Sequence, residues 1–327
     1  MKDGDQRKMH RRTLCAGVLL AAMPASYTWP QQQPPAAPPK DCPGARQSTA
    51  EPLNPQGQPW ERAEYDGGPG YCNTPLLPGQ KWRVHDIARP DPRVVTPGTE
   101  SPPERIGKAP SDALVLLDGT EAAYRQNWVS SPRGFGRAAA APSPPGPPQW
   151  KFENGYVTAV QGAGGIQSKA VFRGPLQTHI EWASNPVIVS KSQMRSNSGI
   201  FLMGRYEIQV LDSYQNQTYA DGSAGSIYGQ FPPLVNASRR PGEWQTYDII
   251  WEPPDSDRLR PAYVTLIHNG VIVQNRQALI GVPVHGRVAV YAPHDAEGPL
   301  ALQNHGERFN PFFRSIWVRK VTGYDEQ

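Results

Sequence analysis

The sequence predicts an all-β domain built as a two-sheet antiparallel jelly-roll sandwich, and three observations support this prediction. Many short strand-like runs follow one another from Leu114 onward, with turn residues between them. Asn269-Gly270 separates two alternating apolar runs, which is typical of a tight β-hairpin. No stretch of ten residues has convincing helical periodicity, so we do not expect a helical layer.

The predicted strands are short, and most are rich in β-branched and aromatic residues. They comprise residues 114–117, 150–160, 178–182, 197–212, 245–251, 262–268, 271–275, 287–291 and 314–321. Tryptophans that alternate with apolar residues within these runs, such as Trp251, are expected in the core rather than on a sugar-binding surface.

The region before these strands predicts an exported bacterial protein, periplasmic or secreted. Residues 1–29 combine a polar, basic leader that ends at Arg11-Arg12 with a short apolar stretch, so we expect a Sec or twin-arginine signal. Residues 30–59 are rich in Pro and Gln and predict a linker. Residues 60–110 predict an extended segment that packs on the domain, which itself spans residues 111–323.

The charge of the mature chain gives no indication of nucleic-acid binding. The whole chain carries a net charge of +4, and the predicted signal accounts for +3 of it. No run of eighteen apolar residues occurs, so no transmembrane span is expected after signal cleavage. The sequence does not specify an oligomeric state.

Two cysteines, Cys42 and Cys72, remain after the predicted cleavage. In an oxidising compartment they predict a disulfide. Two unpaired cysteines in a loose segment are the alternative.

Residues 197–212, taken as one strand, place apolar side chains on one face and polar side chains on the other. The apolar face comprises Ile200, Leu202, Tyr206, Ile208 and Val210. Arg205, Glu207 and Gln209 lie on the other face, and Asp212 would join them only through a bulge. This pattern predicts a half-buried strand whose second face holds a polar ligand.

Three further segments offer polar groups. In residues 298–306, Leu300 and Leu302 are expected to point one way and Gln303 and His305 the other, and residues 164–169 end in Lys169. The loop at residues 218–238 supplies Tyr219, Asp221, Tyr228, Gln230 and Asn236.

The spacing of Glu207, Gln209 and Asp212 matches the Glu-x-Asp-x-x-Glu strand of laminarinase-type glucanases, but the residue types differ. Gln209 does not titrate, and Asp212 is one methylene shorter than Glu. Ordinary retaining glycosidases need two carboxyl groups about 5 Å apart. The substitutions therefore argue against that double-displacement mechanism.

The chain from about Asp112 to Thr322 resembles the 3-keto-disaccharide hydrolase domain family. The matching motifs, in order, are residues 197–214, 219–251, 264–275, 298–306 and 313–321. The resemblance implies a concanavalin A-like jelly roll and cleavage of sugars that carry a ketone at C3. Such a ketone acidifies the C2 proton, so that a base can remove it and the C1 substituent can leave by β-elimination. Addition of water completes a net hydrolysis, which needs a base, an enolate stabiliser and an acid.

We assign roles on this basis. Glu207 or His305 is the C2 base, and the other assists the leaving group. Arg205 supports the enolate or the C3 oxygen. The predicted substrate-binding residues are Gln209, Asp212, Tyr219, Gln303 and Lys169.

Each assignment has an alternative. Arg205 and Glu207 could form an ion pair, His305 could be a turn residue, and Asp212 could cap a turn. We predict no metal or cofactor, although calcium or another divalent ion bound by Glu207, Asp212 and His305 stays open. An oligosaccharide or glycoside is the expected substrate. The competing functions are a non-catalytic lectin-like module and an envelope protein that acts through residues 30–110.

Overall fold

The protein is described here by a computed structural model that covers residues 77–82, 88–89, 98–131, 145–255 and 260–323. The chain divides into two compact units, Met1–Asp91 and Pro92–Gln327. The described residues of the first unit form turns and bends. All described strands belong to the second unit.

The second unit contains fifteen described strands and one described α-helix. Their bounds are β1 Leu114–Leu117, α1 Glu121–Asn127, β2 Trp128–Ser130, β3 Lys151–Glu153, β4 Tyr156–Thr158, β5 Ile166–Arg173, β6 Leu176–Ala183, β7 Ser198–Leu202, β8 Tyr206–Val210, β9 Trp244–Glu252, β10 Tyr263–His268, β11 Val271–Ala278, β12 Val282–Val284, β13 Arg287–Val290, β14 Glu297–Leu302 and β15 Phe312–Lys320.

The strands form two large antiparallel sheets and one small hairpin. The eight-stranded sheet has the order β11-β10-β9-β6-β15-β4-β3, with β1 also paired to β15. The five-stranded sheet has the order β2-β5-β14-β7-β8, and β12 pairs with β13. Neighbours that are distant in sequence reflect crossovers between the sheets, so the predicted jelly-roll sandwich is confirmed. The Asn269-Gly270 hairpin is also confirmed, because both residues have positive φ between β10 and β11.

The core lies between the two large sheets because alternate residues of each strand face inward. Its members include Ile180 and Trp251 from the eight-stranded sheet, and Ile200 and Tyr206 from the five-stranded sheet. The Tyr206 and Trp251 rings contact each other across the sandwich, with centroids 5.1 Å apart. Full burial of one such large apolar side chain stabilises the fold by about 1.5–3 kcal/mol.

The prediction of one continuous strand over residues 197–212 is wrong. These residues form the β7–β8 hairpin, with a turn at Met203, Gly204 and Arg205, and the first two turn residues have φ of 53° and 61°. Leu202 pairs directly with Tyr206. Paired residues share a face, so a three-residue turn preserves the alternation that the sequence shows. The alternation is therefore real, although the chain reverses direction within it.

Several sequence predictions fall mainly on residues that the structure does not describe. They are the export signal at residues 1–29, the linker at residues 30–59 and the Cys42–Cys72 disulfide. These stay predictions, as do the domain boundaries. Among the described residues, no helix is long and apolar enough to cross a membrane.

A buried ion pair lies on the outward face of the eight-stranded sheet. Arg314 Nε of β15 donates to Glu181 Oε2 of β6 over 2.7 Å, and both side chains are at least 93% buried. The same guanidinium donates to the carbonyl oxygens of Pro102 and Pro103, at 3.2 and 2.8 Å. Arg314 thus ties the segment that precedes β1 to the sheet.

Replacing Arg314 with Met should destabilise the domain, because it leaves the buried Glu181 carboxylate with only the more distant cation among the described residues, His179, whose Nε2 lies 3.6 Å from Oε1. Breaking a buried pair in this way costs about 3–5 kcal/mol. The free energy of unfolding from urea titration measures the effect. Arg276→Met is the matched control, since Arg276 forms an exposed pair with Glu252 and should change little. Equal losses in the two variants would contradict this account.

Candidate active site

The outward face of the five-stranded sheet carries a row of side chains that ends at Glu207. Strand pairing places Gln167 of β5, Ala301 of β14, Phe201 of β7 and Glu207 of β8 next to one another. The residues that alternate with them, such as Ile200, belong to the core. Glu207 therefore projects away from the core, on the edge strand of the sheet.

The loop after β8 extends this row beyond the edge strand. Tyr228 N donates to Glu207 O over 3.1 Å, and Gln209 N donates to Ser226 O over 3.0 Å. An isolated bridge joins the residues between these pairs. Tyr228 consequently lies directly across from Glu207 and on the same face. The loop also covers an edge that would otherwise expose unpaired backbone groups.

Glu207 is a buried carboxyl group whose protonation is controlled by its environment. Its relative exposure is 5%, and burial raises the pKa of this carboxyl to about 8. Glu207 is therefore largely protonated at neutral pH. Gly199 of β7 makes room for it, because a Cβ at Gly199 would lie 2.3 Å from Glu207 Oε1. Any larger residue at this position would displace the carboxyl group.

A network of amide side chains surrounds the open end of the β7–β8 hairpin, where Gly199 pairs with Gln209. Gln209 Nε2 donates to Asn197 Oδ1 over 3.1 Å and to Gln193 Oε1 over 3.3 Å. Asn197 Nδ2 in turn donates to the Gln193 carbonyl oxygen over 2.8 Å. Among the described residues, Gln209 Oε1 and Gln303 Oε1 are buried and accept no hydrogen bond. Both oxygens therefore have unused acceptor capacity.

His305 forms a pair with a buried acidic residue, Glu307. His305 Nδ1 lies 3.1 Å from Glu307 Oε1, and Glu307 Oε2 accepts from Asn197 N over 3.2 Å. The Glu307 side chain is 5% exposed, whereas the His305 side chain is 36% exposed. A carboxylate that accepts from Nδ1–H holds the imidazole in the tautomer with a free Nε2 lone pair. This pair has the arrangement of a general base and its orienting group.

A group of aromatic side chains lies beside the end of the row. Tyr228 Oη is 3.0 Å from Tyr219 Oη and 2.8 Å from Nδ1 of His285, which lies in the β12–β13 turn. Burial, together with the neighbouring Tyr219, raises the pKa of Tyr228 far above its usual value. Tyr228 is therefore a neutral phenol throughout the physiological pH range.

Five of the predicted site residues are brought into one region of the sheet. Glu207 and Gln209 lie on β8, and Gln303 is bonded to β7 because its N–H donates to Gly199 O over 2.9 Å. His305 joins them through Glu307, as described above. Tyr219 joins them through Tyr228.

The other three predicted residues are not joined to this group by the contacts above. Arg205 occupies the β7–β8 turn. Asp212 is 2% exposed and pairs with Arg195, whose Nε donates to Asp212 Oδ2 over 2.8 Å. Burial raises the pKa of Asp212, and the Arg195 guanidinium opposes this shift. Lys169 Nζ, three strands from β8, donates to Arg125 O over 3.2 Å. Their assignment to substrate or catalysis stays a prediction.

Sequence reasoning missed four residues of this region: Gln193, Asn197, His285 and Glu307. His305 and Glu307 are two residues apart in the segment after β14, and this spacing could have identified Glu307 as a partner of His305. Gln193 lies in a single 3-10 turn, and Asn197 and His285 lie outside the strands, so no periodicity marks them and only tertiary contacts identify them. In the described part of the chain, no three His, Cys, Asp or Glu side chains cluster as a metal site would require.

These features define a jelly-roll domain with a polar, partly buried site on the outward face of its smaller sheet. Residues 113–319 match the model of the family described as the 3-keto-alpha-glucoside-1,2-lyase-like domain, and the chain belongs to this family. The domain is therefore of a carbohydrate-active class.

Among solved structures, a candidate glycosyl hydrolase from Parabacteroides distasonis is 39% identical to this chain, with a TM-score of 0.62. The match covers 75% of this chain and all of that protein. A second candidate glycosyl hydrolase from the same organism is 15% identical, with a TM-score of 0.42, and covers 64% of this chain and 94% of its own. No curated protein matches the chain.

The buried Glu207 predicts an unusual dependence of stability on pH. Its pKa rises from about 4.5 in the unfolded chain to about 8 in the fold, so the fold favours the protonated form. This contribution is complete below pH 4.5 and is lost as the pH rises to about 8, by at most about 1.4 kcal/mol per pH unit. Glu207→Gln should remove this loss, so the variant should gain stability relative to the wild type as the pH increases.

Urea unfolding at pH 5, 6.5 and 8.5 measures this difference. Glu243→Gln, at an exposed position, is the control for the change in formal charge. If the wild type and Glu207→Gln show parallel curves, the raised pKa is wrong.

Proposed function

We propose that this domain cleaves the glycosidic bond of 3-keto-glycosides by removal of the C2 proton, elimination of the C1 substituent and addition of water. Family membership supports the substrate class. The observation that carries the proposal is the presence of two different groups near the β7–β8 hairpin. They are Glu207 on β8 and His305 in the segment after β14, which Glu307 links to Asn197 at the start of the hairpin. One is a carboxyl group kept protonated by burial, and the other is an imidazole oriented by a carboxylate.

His305 is the proposed base. With Nδ1–H directed to Glu307, Nε2 of His305 is available to take the C2 proton of the sugar. The C–H electrons then move towards C3 as an enolate. Glu307 stabilises the imidazolium that results, as a carboxylate does in other acid–base pairs. Of the two residues that the sequence hypothesis named as the base, the proposal therefore assigns this role to His305.

Glu207 is the proposed acid. Re-formation of the C3 ketone drives electrons into a C1–C2 double bond and breaks the bond from C1 to the leaving oxygen. That oxygen takes the proton of Glu207, which is largely protonated at neutral pH because of its raised pKa. Water then adds through its oxygen to C1 and gives a proton to the Glu207 carboxylate, while the His305 imidazolium returns its proton to C2. The net reaction is hydrolysis, and both residues regain their starting protonation states. Two carboxylates of the ordinary glycosidase type are not needed.

The remaining groups bind the sugar in this proposal. The buried amide oxygens of Gln209 and Gln303 accept hydrogen bonds from ring hydroxyls. Arg205, two residues before Glu207, is the proposed electrostatic partner of the enolate oxygen. The proposed location, outside the cytoplasm, rests on the predicted export signal.

Matched methyl glucosides, one native and one oxidised to the ketone at C3, test the proposal directly. The mature protein should cleave only the keto sugar, because only its C2 proton is acidic enough for His305 to remove. Chromatography of the products, with ultraviolet absorbance to detect an unsaturated intermediate, measures this. Cleavage of the native sugar would instead support an ordinary glycosidase, and binding without cleavage would support the lectin-like module.

Two variants separate the acid from the base. Glu207→Gln should lose about 10²- to 10⁴-fold in kcat/KM on a methyl 3-keto-glucoside. It should lose far less on the nitrophenyl analogue, whose leaving oxygen needs no protonation. His305→Ala should lose activity on both substrates to a similar extent, because proton removal precedes departure of either group.

Thermal melting of both variants controls for loss of the fold. The opposite result, in which His305→Ala is the variant rescued by the nitrophenyl group, would exchange the two roles. Full activity in both variants would exclude both residues.

A further inference from the structure

A separate cavity of about 510 Å³ lies between the loop that contains Tyr219 and the β12–β13 hairpin. Its polar and aromatic lining comprises Tyr219, Asp221, Tyr228, His285 and Arg287. We infer that this cavity is a subsite for a pyranose ring in the leaving group of the substrate. This inference rests on the proposed function and extends it to the second sugar.

The cavity adjoins the proposed acid. Tyr228 lies directly across from Glu207 in the loop that extends the sheet, and its phenol lines the cavity. A glycosidic oxygen that receives the proton of Glu207 carries the leaving group on its far side. The leaving group therefore extends past Tyr228 if the 3-keto ring occupies the sheet face.

The Tyr219 ring is held in place as an exposed platform. Its relative exposure is 43%, yet it packs against Gly222 so closely that a Cβ there would lie 2.1 Å from Tyr219 Cε2. Gln193 Nε2 fixes both ends of the turn, because it donates to Thr218 Oγ1 over 2.8 Å and to Gly222 O over 2.9 Å. The Tyr219 hydroxyl is tied to Tyr228. The ring therefore needs little ordering when a ligand stacks on it.

Gln193 also connects this platform to the amide network. Its Oε1 accepts from Gln209 Nε2 and from Asn197 Nδ2, at 3.3 and 3.2 Å. The same side chain therefore sets the position of Tyr219 relative to the residues that bind the first sugar. Two subsites joined by one rigid side chain fit a ligand made of two linked rings.

The groups around the cavity match the surface of a pyranose. A pyranose has an apolar C–H face, which suits an aromatic ring, and a rim of hydroxyls, which suits charged and polar side chains. Here the Tyr219 ring is the aromatic surface for the C–H face. Asp221, His285 and Arg287 are the polar and charged side chains for the hydroxyl rim. The His285 and Tyr228 rings are stacked with centroids 6.5 Å apart, which orients the imidazole at the rim. The apolar side chains of Ile280, Val284 and Val288 complete the lining and can contact the C–H face of the ring.

Equilibrium binding of an unoxidised glucose disaccharide tests the subsite without turnover of a keto sugar. Tyr219→Ala should weaken binding about tenfold or more, the usual cost of truncating a central aromatic contact. Tyr219→Phe keeps the ring and should stay within about threefold of the wild type. Tyr263→Ala, a partly exposed tyrosine on the other large sheet, is the matched control and should not change binding.

Kinetics then identify the leaving group. For a 3-keto-disaccharide, Tyr219→Ala should raise KM at least tenfold more than it does for methyl 3-keto-glucoside. Equal losses on both substrates, or none, would overturn the inference. A loss on an aryl 3-keto-glucoside as large as that on the disaccharide would overturn the pyranose assignment in favour of an aromatic group.

The outcomes also separate this inference from the proposed function. If the wild type cleaves no keto sugar but disaccharide binding still depends on Tyr219, the subsite holds and the reaction is wrong. If keto sugars are cleaved without any dependence on Tyr219, the reaction holds and the subsite is wrong. Should Tyr219→Ala fail to fold, Arg287→Ala at the exposed rim replaces it, with a weaker loss of disaccharide binding expected.

Discussion

The attachment of the β7–β8 hairpin to the opposite sheet is the contact on which the site depends. Tyr247 Oη of β9 donates to Gln209 O over 2.9 Å through the core, and Tyr206 packs on Trp251. These contacts determine which face of β8 points inward. Because neighbouring side chains in a strand point to opposite faces, they also direct Glu207 and the Gln209 side chain outward. The polar side chains on the outward face of β8 are thus positioned by the packing of its inward face.

The two buried acidic residues, Glu207 and Glu307, lie in different environments. Glu207 lies over Gly199, and among the described residues no cation favours its charged form, so desolvation raises its pKa. Glu307 is almost as buried, but it accepts from Asn197 N and faces His305. The protonated carboxyl group and the oriented imidazole that the proposed mechanism uses therefore arise from two different environments. Such divergence between environments is how a single site supports both acid and base chemistry near neutral pH.

Much of the fold was predictable because it depends on local patterns. The strand-like runs after Leu114 recur as strands, and Asn269-Gly270 forms the expected turn. The turn at residues 203–205 was not recognised, because a three-residue loop between paired residues leaves the period-two pattern unbroken. Gly204 was the local signal for it, but a single glycine within a strand also fits a bulge.

The sequence alone predicted the sandwich fold and the polar face of β8, since both follow from residue types and their spacing, and its longer motifs carried the resemblance to the family. Only the tertiary structure decided which polar residues meet. Gln193, Asn197, His285 and Glu307 join the site, whereas Asp212 pairs with Arg195 and Lys169 bonds to α1. The tertiary structure also sets the raised pKa of Glu207, because that shift comes from burial, which no short stretch of sequence encodes. The physical reason is that strand pairing and loop closure bring together residues that are distant along the chain, and desolvation depends on all of them at once.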